Sequence, residues 1–234
     1  MIRYLIGTSA ILFGLCAIAN CQESDDQDEK ALMEKASYIL GHNMIKDFRA
    51  GRIELDVEQV IQGIREASAK QEPSMSKEEI EKVMTAFNDL ADKKQQALFQ
   101  ELADKNMRAG LAFLKENATR DGVKQLESGL QYKIITTGEG ENPKLRDVVK
   151  FHFIGKTIDG TIFQSTVETK KPAVTAVGGI GIRGVAEAIQ RMKPGGKWQL
   201  YIPPSLAFGV SGAPPDIEPN QTLVFDVELL EIVQ

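Results

Sequence analysis

Between Ser76 and Gly110 the chain contains neither proline nor glycine. A stretch that long without a backbone breaker, opened by a Ser76–Glu79 capping box, commits the middle of the protein to one long helix. The helix is expected from Ser76 to about Glu116, roughly 60 Å at about 1.5 Å per residue. Ile80, Val83, Met84, Phe87, Leu90 and Ala91 form an apolar stripe on its first half, which Lys93, Lys94, Gln95 and Gln96 then interrupt. A helix with a polar middle is not buried along its length in one compact domain, so it reads as a rod joining two modules.

Shorter helices precede it. Leu32, Ala36, Ile39, Leu40, Met44 and Phe48 recur at helical spacing, with Gly51 as the stop. Asp56 with Gln59 opens a second helix to about Ala69, and Pro73 breaks it. Two helices this small cannot bury a core alone. Self-association would cover their apolar faces; a closed three-helix bundle is the alternative.

After Gly122 the hydrophobic period changes to two. Strands are expected at Leu130–Thr136, Val148–Ile154, Thr161–Gln164, Lys197–Ile202 and Thr222–Ile232, with one short helix at Gly184–Arg191. Turns punctuate them at Thr137–Gly140, Asp159-Gly160, Pro194–Gly196 and Pro214-Pro215. This is an α+β domain, an antiparallel sheet with a single helix. Val149, Phe151 and Phe153 share one face of their strand, as do Leu223, Phe225, Val227 and Leu229 on the last.

The first residues read as a leader. Arg3 supplies a positive start, and Leu5–Ile18 is apolar but too short to span a bilayer comfortably. Ile18-Ala19-Asn20-Cys21 resembles a bacterial lipobox, in which Cys21 takes diacylglycerol and becomes the first mature residue. Cys16 would leave with the leader, so the mature chain has no disulfide and no thiol nucleophile or thiolate metal site. Gln22–Lys30 carries five acids against one lysine and reads as a solvated tether. Net charge is −5 with a pI near 5.3, and no basic stripe is present, so nucleic-acid binding has no electrostatic support.

Gly179-Ile180-Gly181-Ile182-Arg183-Gly184 spells G-x-G-x-x-G. A dinucleotide site also needs a parallel βαβ unit and an acid roughly 20 residues on. Gln199–Ile202 stand there instead, in an antiparallel context, so the motif is rejected.

Several blocks together resemble the FKBP-type peptidyl-prolyl isomerases. They are Ser128–Lys133, Val149–Gly155, Asp159–Phe163, Met192–Trp198, Tyr201–Pro204 and Thr222–Leu230, in family order over roughly the last 100 residues. The preceding helical region resembles the N-terminal domain of the macrophage infectivity potentiator branch. The resemblance implies a leader (1–20), an acidic tether (21–30), a helical dimerisation domain (31–75), a connecting helix (76–122) and an FKBP-like isomerase domain (123–234), in which the sheet wraps a short helix. It implies a homodimer through the N-terminal helices, lipid anchoring in a bacterial envelope, proline-containing polypeptides as substrates and no cofactor or metal. It places the site at Phe153, Phe163, Gln164, Ile182, Val185, Phe208, Ile217 and Phe225, with the Ile182 N–H holding the substrate carbonyl.

Four of these positions depart from the family pattern. The family commonly has Tyr at 153, Asp at 164, an aromatic floor, usually Trp, at 185, and Tyr at 208; this chain has Phe153, Gln164, Val185 and Phe208. Losing the Tyr–Asp pair together leaves neither partner buried and unpaired. The missing floor removes a large packing surface. The expected activity is prolyl isomerisation at reduced rate, with chaperone action as a companion; the alternative is a non-catalytic chaperone or protein-binding lipoprotein. The lipobox reading carries its own test. Cys21→Ser should abolish lipid labelling and stable membrane retention, and a Cys21→Ser protein that is still acylated would reject it.

Overall fold

The computed structural model describes the backbone of residues 12–233 and the side chains of residues 27–233. Most of the leader reading, and the Cys21 side chain, fall outside those described residues. The chain divides into two compact units, Met1–Gln95 and Gln96–Gln234.

The first unit is helical. Helix α1 spans Leu12–Ala50, α2 spans Val57–Ser68, and α3 spans Lys77–Asn117 and continues into the second unit. Helix α1 runs through residues 21–30, where a tether was expected. Its residues there include no Gly or Pro, and Glu, Gln and Lys are good helix formers, so nothing in the sequence stops the helix there. The stop at the end of α1 is a Schellman motif: Ile53 N–H donates to Phe48 O (2.8 Å) and Arg52 N–H to Arg49 O (2.9 Å). The left-handed residue is Arg52, with φ 58°, rather than the neighbouring glycine.

Helix α2 is capped by Asp56, whose carboxylate accepts from the Glu58 and Gln59 N–H groups at 3.1 and 3.2 Å. The capping box of α3 is reciprocal, with Ser76 N–H to Glu79 Oε2 at 2.9 Å and Glu79 N–H to Ser76 Oγ at 3.2 Å. Phe48 meets Phe87 edge-on at 6.1 Å, and Lys94 Nζ donates to Arg52 O at 2.6 Å. Yet no described residue from 27 to 95 is fully buried. The three helices do not close on a core of their own.

The second unit is built on a seven-stranded antiparallel sheet. Its strands are β1 (Val123–Gln125), β2 (Gln131–Thr136), β3 (Val148–Thr157), β4 (Ile162–Ser165), β5 (Ala173–Ala176), β6 (Lys197–Ile202) and β7 (Leu223–Val233). They run in the order β1-β2-β6-β7-β3-β4, with β5 also paired to β3. Five of the seven follow the period-two runs of the sequence. The other two, β1 and β5, have three and four residues and were not read from the sequence.

Helix α4 (Arg183–Ile189) lies on one face and buries Val185, Ala188 and Ile189, with Met192 just beyond. The apolar faces of Leu130, Val149, Leu200, Ile202, Leu223, Val227 and Leu229 complete that core. A ladder shift between Lys150 and Phe151 on the β3–β7 pair bends the sheet around the helix.

The second half of α3 belongs with this sheet, so the packing boundary lies inside the helix and not after it. Asn117, fully buried, donates from Nδ2 to Gln131 Oε1 at 2.9 Å, and Gln131 Nε2 donates to Leu114 O at 2.9 Å. Phe113 packs on Tyr201 at 5.9 Å. Burial raises the Tyr201 pKa; its hydroxyl donates to Gln199 Oε1 at 2.6 Å. At Gly110 the helix touches β7's lead-in so closely that a Cβ would stand 2.3 Å from Thr222 Oγ1.

The Asn117–Gln131 contact is a single buried hydrogen bond, and breaking it strands the Gln131 Oε1 acceptor. Asn117→Ala should therefore cost about 1–3 kcal/mol in denaturant unfolding of the isomerase unit. A change within about 0.5 kcal/mol, the level of an ordinary surface substitution, would contradict this docking.

Candidate functional site

A cavity of about 400 Å³ opens between the concave face of the sheet and the N-terminal end of α4. Strand β3 contributes Phe151 and Phe153, and β7 contributes Phe225. Ile182, the residue before α4, and Val185 within it form one wall, and Phe208 closes another from the loop after β6. Gln164 on β4 and Thr175 on β5 stand at its lip. The segment Gly179–Gly181 completes the lining.

Aromatic rings set the interior. Phe153 lies 5.9 Å from Phe225 and 5.9 Å from Phe151, both tilted. Phe163 meets Phe225 edge-on at 5.7 Å. Gly155 makes this clustering possible: a Cβ there would stand 2.7 Å from Phe163 Cζ and 3.0 Å from Phe225 Cε1. The glycine faces Gln164 across the β3–β4 ladder.

Of the eight residues named from the sequence, Phe153, Gln164, Ile182, Val185, Phe208 and Phe225 line the cavity together. Phe163 and Ile217 do not. Phe163 packs edge-on against Phe225. Ile217 is buried and held by a two-way backbone bridge to Ala213 (2.8 and 3.0 Å), supporting the loop that carries Phe208. Sequence reasoning missed Phe151, Thr175, Gly179, Ile180 and Gly181. Phe151 carries the alternation of a core residue and is 3% exposed, so only its neighbours' geometry places it on the cavity. Thr175 sits on a strand too short to be recognised.

The rejected glycine motif has a different use here. Gly179 and Gly181 bring bare backbone to the cavity wall, and nothing lies within 4 Å of a Cβ built at Gly181. Gly184 lets α4 approach β6, since a Cβ would stand 2.6 Å from Ile202 Cγ2. Trp198 lies away from the cavity, stacked on Tyr132 at 4.5 Å and 10°. It does not supply the missing floor.

The backbone N–H of Ile182 donates to no backbone carbonyl of the described residues. Ile182 has φ −100° and ψ 107°, and its own C=O starts the helix by accepting from Val185 and Ala186. No lining side chain is ionisable. Among the described residues no group of three His, Cys, Asp or Glu is arranged to hold a metal ion. The cavity is thus an apolar cup with a free backbone donor at its wall, suited to a ring bearing a nearby carbonyl and unsuited to general acid–base chemistry.

Comparison with known proteins places this geometry. Residues 33–134 match the model of the domain amino terminal to FKBP-type peptidyl-prolyl isomerase, and residues 139–230 match that of the FKBP-type peptidyl-prolyl cis-trans isomerase. The chain is 37% identical over 203 residues to the peptidyl-prolyl cis-trans isomerase Mip of Coxiella burnetii, covering 87% of this chain and 88% of that one. It is 32% identical over 224 residues to the outer membrane protein MIP of Legionella longbeachae, covering 96% of each. The crystal structure of FkpA from Escherichia coli superposes with a TM-score of 0.71 at 35% identity, covering 89% of this chain and 96% of that one.

Proposed function

The chain belongs to the FKBP-type peptidyl-prolyl cis-trans isomerases, and we propose that its aromatic cavity receives the proline ring of an X–Pro bond while the Ile182 N–H holds the carbonyl preceding the proline. The reaction is a rotation about a partial double bond with a barrier of ~18–20 kcal/mol. The planar amide is more dipolar than the twisted one, so a water-poor apolar cup favours the twisted form relative to water. Phe153, Phe225 and Phe208 supply that cup. Phe163 and Ile217 act by fixing Phe225 and the Phe208 loop. The observation that carries the reading is the meeting of six expected residues on one cavity beside an unengaged N–H.

Val185 and Phe208 tune the rate in this reading. Val185 is 2% exposed and borders the cavity, which supports open volume beside this position. Val185→Trp should fill that volume and raise kcat/KM. If the indole cannot enter, overpacking should instead lower stability by about 1–3 kcal/mol without a gain in rate. Phe208→Tyr restores a donor worth about 0.5–1.5 kcal/mol, up to roughly tenfold in rate. A protease-coupled prolyl-peptide assay on the chain from Gln22 onward, with melting temperatures measured alongside, reads both. No acceleration by wild type and none by either folded variant would favour the non-catalytic chaperone.

The helical unit supports a second function, self-association. Leu32, Met33, Ile39 and Leu40 on α1 are all more than half exposed, and Val83, Met84 and Leu90 on α3 are about half exposed. With no buried residue among the described residues of the unit, a second copy of the same surface is the natural cover. A dimer would present two isomerase units to one unfolded chain, which suits chaperone action. The relative named an outer membrane protein, together with the lipobox at Cys21, supports attachment in a bacterial envelope. No helix among the described residues is long and apolar enough to cross a membrane. Sedimentation at micromolar concentration should show a dimer for the soluble chain and a monomer after removal of residues 22–75; a monomeric soluble chain would reject this assembly.

A further inference from the structure

Every side chain lining the cavity is neutral, and the lip carries two hydrogen-bonding side chains, Gln164 and Thr175. Gln164 is exposed on β4 opposite Gly155, which has no side chain to cover it. Its carboxamide makes no hydrogen bond among the described residues, so its donors and its acceptor are free for a bound chain. The ionisable residues adjacent in sequence to the lining are mostly engaged elsewhere. Lys150 pairs with Glu231 at 3.0 Å, Asp226 with Lys156 at 2.7 Å, and His152 Nδ1 lies 3.0 Å from Thr166 Oγ1.

Arg183 differs. It follows Ile182 directly, and it forms no ion pair among the described residues. Its guanidinium donates to the Ser205 carbonyl, three residues before Phe208. It therefore ties the start of α4 to the loop that leads to Phe208, as an exposed fixed positive charge next in the chain to the lining residue Ile182. No carboxylate is among the residues that line the cavity. Glu187 is bonded to Ser128 Oγ at 2.7 Å, Glu218 receives Asn106 Nδ2 at 2.9 Å, and Asp216 is exposed beside Ile217, which is not on the cavity.

We infer that this site selects X–Pro bonds by the charge of the residue before the proline, favouring an acidic X over a basic one, with Gln164 as the residue that permits the choice and Arg183 as the one that makes it. The inference rests on the isomerase reading of the cavity. A carboxamide at the lip bonds either a neutral or an anionic neighbour, whereas a carboxylate there would repel an acidic X. Arg183, next to the Ile182 N–H that would hold the carbonyl of X, then attracts the acidic side chain through solvent-screened Coulomb interaction, which salt weakens. The substrate class is Glu-Pro and Asp-Pro sequences in unfolded chains, alongside the neutral ones.

The test is kcat/KM for three prolyl peptides identical but for X as Glu, Gln or Lys. At low ionic strength the Glu peptide should exceed the Lys peptide by about threefold or more, and about 0.5 M salt should erase most of that ratio. Arg183→Met should remove the ratio, Arg183→Lys should retain it, and Gln164→Asp should invert it, each read as a ratio within one protein so that a general loss of activity cannot mimic the result. Equal rates for all three wild-type peptides, a preference for Lys, or a Glu preference that survives both salt and Arg183→Met would overturn the inference and leave the isomerase intact. No acceleration of any peptide would overturn both.

Discussion

The isomerase unit depends on one strand. Strand β7 is paired on both sides, to β3 from Val148 to Thr157 and to β6 from Lys197 to Ile202. Its inward residues Leu223, Phe225, Val227 and Leu229 are buried in succession. A strand hydrogen-bonded on both edges cannot slip by one residue without turning that whole set outward. Its register therefore holds Phe225 at the cavity, and through Phe225 the positions of Phe153 and Phe163. The ladder shift opposite Lys150 bends the sheet so that these rings face α4 and leave a space between.

Glycine decides how close the parts come. Gly155 admits the rings of Phe163 and Phe225, Gly184 admits Ile202 beneath α4, and Gly110 admits Thr222 beneath α3. Each is a contact where a methyl group would collide with a side chain packed against the glycine. The same chemistry explains why an apparent nucleotide motif occurs in a chain that has no such fold. Its glycines serve a cavity wall and a helix–sheet contact.

The site shows how a pocket can lose polarity without losing its shape. With Phe at 153 and Gln at 164, no lining carboxylate or phenol needs a buried partner, and the free carboxamide faces solvent at the lip. The rings still pack within 6 Å of one another. The helical unit makes the contrasting point. Its helices are well capped and individually sound, yet none of its described residues is buried, so local stability and tertiary closure are separate matters there.

What the sequence determined alone was whatever local periodicity and chain breakers encode. The breaker-free run from Ser76, its capping box, five of the seven strands and the short helix were all legible because each is stated within a few adjacent residues. The order of motifs in the last 100 or so residues pointed to the family for the same reason. Tertiary structure alone decided the rest. Phe151 and Phe163 carry the same kind of side chain, but the first lines the cavity and the second packs edge-on against Phe225. Thr175 reaches the lip only because β5 pairs with β3. The second half of α3 joins the sheet through Asn117, a polar residue on a solvated-looking helix whose partner Gln131 lies on another element. A cavity and a buried amide pair are relations between distant segments, and no window of sequence contains both sides of them.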